Sequence, residues 1–183
     1  MPRALVRNAT PDDATAIAAI HVASWQATYR GHMDDAYLDS LSVDERVGMW
    51  SQILEFPRTA ANVLVAEIQG KVIGFYSFGR SRDSDLPGDT AVLHTIYVHP
   101  DLIRSGIGIA LLARAERAMR EAGIDLVSLW VLRENIGARR FYERCGRSFN
   151  GEERREELWG QPPTEVRYTR SLSSGDQRDI GGT

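Results

Sequence analysis

The segment from Ala91 to Ala122 constrains the fold most, because a strand pattern changes to a helix pattern there across a glycine-rich turn. Residues 91–98 are rich in β-forming side chains and predict a strand that ends before Pro100. Beyond Ser105–Gly108, apolar residues recur at helical spacing, at Ile107, Leu111, Ala115, Ala118 and Ala122. Unpaired N–H groups and the dipole at the start of such a helix favour phosphate, so the turn is a candidate anion site. A plain strand-to-helix connection is the alternative interpretation.

Two other phosphate-binding motifs do not fit this turn. A P-loop requires Gly-Lys-Ser/Thr, which the chain lacks. A dinucleotide fingerprint requires a third glycine at the position of Leu111. Gly106 and Gly108 would let an anion approach the backbone closely without the help of a lysine.

The rest of the chain predicts an α/β (mixed α+β) fold. Strands are predicted at residues 3–8, 63–68, 71–78, 91–98, 124–132 and 166–172, with a hairpin turn at Gln69-Gly70. Helices are predicted from Pro11, from Val43 after a capping box at Ser42, beyond the turn at residues 105–108, and over residues 134–145, where Asn135 is a favoured N-cap. One or two strands close the chain, so the order describes a mixed sheet with helices on both faces. Glu116 and Arg120 are predicted to pair on the outside of their helix. We expect a single domain over residues 1–172 and a disordered tail over residues 173–183.

Composition restricts the class of protein. A chain of 183 residues suits one domain, and its net charge of −3 argues against a nucleic-acid surface. No apolar run is long enough for a membrane span, and the N-terminal residues lack a signal-peptide pattern. The only cysteine, Cys145, cannot form an internal disulfide. Together these features predict a cytoplasmic protein with neither a nucleic-acid nor a membrane partner.

Residues 94–112 resemble motif A of the GNAT acetyltransferases, an apolar strand followed by Gln/Arg-x-x-Gly-x-Gly/Ala at the start of a helix. Residues 103–108, Ile-Arg-Ser-Gly-Ile-Gly, occupy that frame, with Ile103 at the usual Gln/Arg position and Arg104 next to it. The resemblance implies acetyl-CoA as co-substrate, with its diphosphate held mainly by backbone amides of the turn. The implied contact residues are Ile103, Arg104, Ser105, Gly106, Ile107, Gly108 and Ile109.

A second segment resembles motif B of the same family, Asn-x-x-Ala-x-x-x-Tyr-x-x-x-Gly-Phe. Here it reads Asn135, Ala138, Tyr142 and Gly146, with Arg147 in place of the final Phe. The resemblance covers residues 61–150 and implies that the first three of these contact coenzyme A. It also implies a central twisted sheet of about six to seven strands, splayed between the fourth and fifth. The pantetheine arm would lie in that gap, along the backbone of Ile96, Tyr97 and Val98.

The resemblance implies direct attack of an amine on the acetyl group in a ternary complex, which requires two proton transfers. Tyr142 matches the motif tyrosine whose hydroxyl lies near the CoA sulfur in many relatives, so it is the candidate acid for the leaving thiolate, although it could be only a packed aromatic. His94 matches a histidine implicated in proton removal in serotonin N-acetyltransferase, and its ordinary pKa of about 6.5 suits that task. A strand histidine bonded to a neighbour, with water as the base, is the alternative. Val92 stands where histone acetyltransferases often carry glutamate.

The acceptor side is less defined. His21, Trp25 and Tyr29 on the first helix are candidate acceptor contacts, but the aromatic residues could equally be core. Asp83, Asp85 and Asp89 form an acidic loop that would suit a cationic amine or would simply be solvated. Neither a metal site nor a covalent mechanism is predicted: the histidines do not cluster, and Cys145 lies at a helix C-terminus, where the dipole disfavours thiolate.

The leading function is acetylation of a primary amine of a small molecule or peptide by a bacterial member of this family. The main alternative is a GNAT module that binds acyl-CoA as a sensor without efficient transfer. An RNA-targeting toxin would require a more basic surface. Many relatives are dimers, so a homodimer is compatible with the resemblance.

Overall fold

The computed structural model describes residues 4–56, 62–155 and 164–173 of the 183-residue chain. Three sequence predictions fall outside those ranges: residue 3 at the start of the first strand, Pro57 as a helix stop, and residues 174–183 of the tail. In the described part of the chain, no helix combines the length and the apolar character that a membrane span requires.

Seven strands and five α-helices occur within the described ranges, and the strands form one mixed sheet flanked by helices, as the sequence predicted. The strands are β1 (Leu5–Asn8), β2 (Val63–Ile68), β3 (Lys71–Arg80), β4 (Ala91–Val98), β5 (Leu126–Leu132), β6 (Ser148–Arg155) and β7 (Thr164–Ser171). The helices are α1 (Ala14–Tyr29), α2 (Asp35–Asp39), α3 (Val43–Glu55), α4 (Ile107–Glu121) and α5 (Ile136–Arg144). The splay between the fourth and fifth strands stays a prediction.

Three elements differ from the sequence predictions. Helix α2 was not predicted, because its five residues are too few for an apolar period; the Asp34 carboxylate caps it by accepting the N–H of Tyr37 at 2.9 Å. Strand β3 continues to Arg80, into the predicted polar loop. The helix predicted from Pro11 begins as a 3-10 turn, Pro11–Asp13, and α1 follows from Ala14.

Among the described residues, one compact unit comprises residues 4–56, 62–79 and 93–115. Its strand order is β1-β2-β3-β4, and both β1–β2 and β2–β3 are antiparallel. The β2–β3 hairpin turns through Gln69 and Gly70, whose φ values of 51° and 77° are those of a type I′ turn. A hydrophobic cluster joins α1 and α3 to these strands, and it includes Ile17, Ile20, Trp50, Leu54, Val65 and Phe75.

The other described residues, 80–92, 116–155 and 164–173, form a second compact unit. Its strand order is β5-β7-β6, with both pairs antiparallel and a register shift in β6 between Phe149 and Glu153. The buried apolar side chains of this unit include Met119, Val127, Leu129, Val166, Tyr168 and Leu172. Strand β7 therefore lies between β5 and β6 in this unit.

The predicted exposure of Glu116 is wrong. Its carboxylate lies 3.6 Å from Arg120, as the helical spacing suggested, but its side chain is only 6% exposed. The reason is a buried ion pair with Arg147 at 2.7 Å and a second contact with Arg170 at 3.2 Å. Arg147 occupies the motif position that is usually Phe. Its buried guanidinium is paired with the buried carboxylate of Glu116.

Candidate functional site

The turn that leads into α4 has the backbone of an anion site. Arg104 and Gly106 both have positive φ, 64° and 84°, and residues 103–106 are all exposed. Ser105 Oγ donates to the carbonyl of Leu102 at 2.5 Å and so fixes the turn. Alternation of left-handed and ordinary conformations directs successive N–H groups into one concavity, which suits an anion.

The start of α4 adds donors to the same concavity. In this region of the described chain, Ala110 is the first residue whose amide donates to the carbonyl four residues earlier, that of Gly106, at 3.1 Å. The amides of Ile107, Gly108 and Ile109 therefore have no backbone carbonyl within the helix to bind. A methyl group on Gly106 would meet no atom within 4 Å, so the space above the turn is open. The group that fits these donors is a phosphate or diphosphate.

The side chains at the turn contribute little to this concavity. Ile103 is 63% exposed and cannot donate a hydrogen bond, and Arg104 is the exposed cation beside it. The missing Gln/Arg at position 103 therefore removes a side-chain donor but leaves the backbone donors unchanged.

Strand β4 is held firmly against the elements that carry the turn. The amide of His99 donates to Ile73 at 2.9 Å, and Ser24 Oγ on α1 donates to the carbonyl of Val98 at 3.4 Å. A methyl group on Gly74 would lie 3.0 Å from the Tyr97 carbonyl oxygen and 3.4 Å from the side chains of Ile107 and Leu111. Close packing at Gly74 thus fixes the start of α4 over β3 and β4. The predicted contacts Ile96, Tyr97 and Val98 are all half-buried.

His94 is exposed on β4, and its imidazole lies over Gly79 of β3. The neighbouring side chains Leu93 and Ala91 are buried, so His94 stands on the accessible side of this part of the strand. An accessible imidazole can exchange protons with solvent and with a ligand, which a core histidine cannot.

The three acceptor candidates on α1 occupy an aromatic cluster. His21 is 6% exposed, its ring stacks on Tyr97 with centroids 5.5 Å apart, and its Nδ1 accepts from the Trp50 indole at 3.1 Å. Trp25 and Tyr29 are half-buried and meet edge to face at 5.2 Å. Because Nδ1 accepts, the neutral His21 ring carries its proton on Nε2. His21 is thus placed in the core, while Trp25 and Tyr29 retain some accessible surface.

Burial, with a smaller effect of Arg46, lowers the pKa of His21 from 6.5 to about 4. The folded protein therefore holds this ring neutral, and the unfolded chain binds the proton first as the pH falls. We expect stability to be complete above about pH 6.5 and to fall by about 3 kcal/mol as the pH drops toward 4. Urea unfolding of wild type and His21→Gln over this range tests it, since the glutamine oxygen can still accept from Trp50. A variant that loses stability with the same slope as wild type would contradict the assignment.

The motif B residues lie together at α5 in the second unit. Asn135 is the N-cap, with Oδ1 accepting the N–H of Ala138 at 3.0 Å, as the sequence predicted. Tyr142 is 8% exposed, and its ring lies 5.4 Å from that of Phe141 and 6.4 Å from that of Tyr168. The Tyr142 ring is thus packed beneath α5. This position is compatible with a role as the acid and with a role in packing alone.

Tyr168 of β7 fixes α5 in place. Its hydroxyl donates to Glu143 at 2.7 Å and accepts from Arg139 Nε at 3.1 Å, and these two residues are one helical turn apart on α5. Burial, partly offset by the hydrogen bond from Arg139, raises the pKa of Tyr168. The hydroxyl therefore stays protonated and clamps the helix that carries Tyr142.

The acidic loop before β4 is neutralised by a residue that the sequence did not single out. Arg167 of β7 is 2% exposed, binds both carboxylate oxygens of Asp85, and lies 3.5 Å from Asp83. Asp83 also accepts from the Trp130 indole at 3.2 Å. Two of the three aspartates proposed to attract a cationic amine are thus engaged in holding the loop. An arginine in a predicted strand is the only sequence signal for this pairing, and it does not identify the partner.

Two further predictions concern reactive groups. Burial raises the pKa of the Cys145 thiol and so disfavours the thiolate that a covalent mechanism would require. Over residues 4–56, 62–155 and 164–173, no group of three or more His, Cys, Asp or Glu side chains is arranged to hold a metal ion.

The chain is similar in sequence to proteins named as N-acetyltransferases. The chain is 35% identical over 131 residues to the uncharacterized N-acetyltransferase YuaI of Bacillus subtilis, covering 71% of this chain and 72% of YuaI. It is 26% identical to spermidine N(1)-acetyltransferase of Thermoplasma acidophilum (77% and 86% covered) and 33% identical to the L-amino acid N-acyltransferase MnaT of Escherichia coli (60% and 65% covered).

A solved structure of an N-acetyltransferase has a similar fold. The crystal structure of PaiA N-acetyltransferase from Thermoplasma acidophilum in complex with coenzyme A matches with a TM-score of 0.69 at 22% identity, covering 92% of this chain and 99% of that one. The sequence model of the acetyltransferase (GNAT) family matches residues 15–146, well over half of the chain. The chain therefore belongs to the GNAT family of acetyltransferases.

Proposed function

We propose that this acetyltransferase moves the acetyl group of acetyl-CoA to a primary amine of a small molecule or peptide, by direct attack of the amine in a ternary complex. One observation carries the proposal: the exposed turn at residues 103–106, with φ of 64° at Arg104 and 84° at Gly106, presents backbone donors at the start of a 15-residue helix. Family membership supplies the ligand that such a site would take, the diphosphate of coenzyme A.

The residues of this turn fit that ligand. A diphosphate is an anion, and the amides of Ile107, Gly108 and Ile109 with the positive end of the α4 dipole favour it. Arg104, exposed next to the turn, would add a cation. Backbone groups of Ile96, Tyr97 and Val98 on β4 would bind the pantetheine arm, and in the second unit Asn135 and Ala138 would also contact coenzyme A. Bound acetyl-CoA supplies an activated acyl group on a thiol that can leave.

Two side chains would manage the protons. His94 would accept the proton that the acceptor amine loses, because its imidazole is exposed and a neutral ring nitrogen can accept a proton. Tyr142 would donate a proton to the departing sulfur through its phenol hydroxyl. Its buried ring fixes the direction of that hydroxyl.

The acceptor is proposed to be a small primary amine. Spermidine and L-amino acids, named for two of the relatives, share only a primary amine on a small molecule. Trp25 and Tyr29 keep half-buried ring surface that would contact the acceptor, whereas His21 lies within the core. Since Arg167 neutralises Asp85 and lies near Asp83, the acidic loop gives little reason to prefer a polycation.

The diphosphate assignment predicts a selective effect of Gly106→Ala. A methyl group there would stand in the open space above the turn, where we propose that the anion binds, so we expect Kd for acetyl-CoA to rise by about tenfold or more. Gly123→Ala is the matched control, because Gly123 also has positive φ, 74°, and a methyl group there also meets no atom within 4 Å. Both variants should lose similar stability, about 1–2 kcal/mol. Calorimetric titration with acetyl-CoA measures the affinity of each variant. Equal affinities of Gly106→Ala and Gly123→Ala for acetyl-CoA would contradict an anion site at this turn.

Release of CoA thiol from acetyl-CoA in the presence of polyamines, amino acids, aminoglycosides and short peptides tests the function. Amine-dependent release, saturable in one acceptor class, is the expected result. Tight acetyl-CoA binding without release by any amine would favour the acyl-CoA sensor instead.

A further inference from the structure

We propose that Gly79 is a positioning residue for His94. Because glycine has no Cβ, the His94 imidazole can pack directly against the backbone of position 79. A methyl group on Gly79 would lie 2.6 Å from Nε2 of His94, 3.4 Å from Cδ2 and 3.7 Å from Cε1. All three of its nearest neighbours would thus belong to one imidazole. The inference rests on the proposed role of His94 as the base.

Glycine is unfavourable inside a strand, so a glycine there calls for a local reason, such as the close approach of another group. Strand β3 has two glycines besides its flanking turn, Gly74 and Gly79. At Gly74 the close atoms are the Tyr97 carbonyl oxygen and core side chains of α4, so the reason is packing. At Gly79 the close atoms belong to an exposed side chain, which core packing does not require.

The strands cannot easily yield to a methyl group at this position. Ser77 of β3 and Thr95 of β4 share a hydrogen bond of 2.7 Å between their hydroxyls, and Ser77 is buried. Further along, the His99 amide donates to Ile73 at 2.9 Å. With β3 and β4 held together at both places, an added methyl group would displace the exposed His94 ring rather than the strands.

The displacement is large enough to matter for proton transfer. Ordinary contact of a methyl carbon begins near 3.4 Å, so Nε2 would have to move by roughly 1 Å from 2.6 Å. A misplacement of about 1 Å in a reacting group can cost about 10²-fold in rate. Gly79 therefore sets where the base presents its nitrogen, without itself touching a substrate.

The test compares Gly79→Ala, His94→Gln and the double variant in amine-dependent CoA release, with an NMR spectrum of the imidazole signals of each. Gly48→Ala is the matched control, because Gly48 lies in α3 with no atom within 4 Å of an added methyl group. The His94 signals are assigned by their loss in His94→Gln. Thermal unfolding and acetyl-CoA titration show that each variant is folded and binds its co-substrate.

We expect Gly79→Ala to shift the His94 signals, to keep its affinity for acetyl-CoA, and to lower kcat/KM for the amine by about 10- to 100-fold. The double variant should be no slower than His94→Gln alone, and Gly48→Ala should match wild type. The positioning role is overturned if the His94 signals do not move, or if Gly79→Ala slows His94→Gln by the same factor as wild type. If His94→Gln keeps the full rate, the assignment of His94 as the base fails. A shift of the His94 signals in Gly79→Ala would in that case show that the two residues are in contact, without an effect on catalysis.

Discussion

The variant Tyr142→Phe is expected to lose about 10²-fold in kcat, with little change in KM for acetyl-CoA. The change removes one hydroxyl and keeps the ring, which is 8% exposed and packed beside Phe141 and Tyr168. An acid that acts only as the sulfur departs stabilises the transition state and not the bound substrate, so kcat and kcat/KM should fall together. Initial rates of CoA release at varied acetyl-CoA measure both.

Tyr168→Phe is the control for this variant. It is the same chemical change on a neighbouring ring, and it removes a hydroxyl that bonds Glu143 and Arg139. Loss of those bonds should cost about 1–3 kcal/mol in unfolding free energy, while α5 and the Tyr142 hydroxyl remain in place and kcat stays near wild type. A Tyr142→Phe enzyme with wild-type kcat would exclude Tyr142 as the acid and leave it a packing residue.

The second large effect is on stability: Glu116→Leu is expected to cost about 3–5 kcal/mol, because it leaves the Arg147 guanidinium buried without its counter-charge. The Arg147 side chain is 1% exposed, lies 2.7 Å from Glu116, and has a buried Nε that bonds to none of the described residues. Arg170, at 31% exposed, can turn to solvent, but Arg147 cannot.

The double variant Glu116→Leu/Arg147→Met should recover most of that loss, because methionine fills a similar volume without a charge. Urea unfolding of the two single variants and the double variant gives the coupling free energy between positions 116 and 147. If Glu116→Leu alone cost less than about 1 kcal/mol, the pair would not be the buried ionic contact described here.

Elements fixed by local chemistry could be predicted from the sequence. The Gln69-Gly70 hairpin, the Ser42 cap of α3 and the Asn135 cap of α5 all occur as expected. Each depends on a few adjacent residues: positive φ at a two-residue turn, or a side-chain oxygen that accepts an amide three residues on. The GNAT fold was implied by the resemblance of residues 94–112 and 135–146 to motifs A and B of that family, in the usual order.

Features that depend on distant partners could not be predicted. Glu116 has the spacing of a surface ion pair with Arg120, and nothing within α4 reveals that Arg147, 31 residues on, draws it into the interior. The neutralisation of Asp85 by Arg167 spans 82 residues and likewise leaves no local pattern. The space at Gly79 becomes visible only when β3 and β4 are seen side by side.

The proposed anion site at residues 103–106 was predicted only in part from the sequence. Gly106 and the start of α4 were visible as a pattern, but the left-handed conformation of Arg104, with φ of 64°, was not, because arginine rarely adopts it. A backbone strained at the centre of the turn is what makes successive amides converge, and its stability comes from the surrounding fold.

Transfer of a labelled acetyl group tests the central claim most directly. The protein would be incubated with acetyl-CoA carrying ¹³C in the acetyl group and with the acceptor class found by thiol release, and the products identified by mass spectrometry and NMR. The account predicts the label on the amine nitrogen of the acceptor, in amounts equal to the CoA thiol released. Label recovered only as free acetate, or remaining in acetyl-CoA while the protein binds it, would contradict an N-acetyltransferase acting by direct attack.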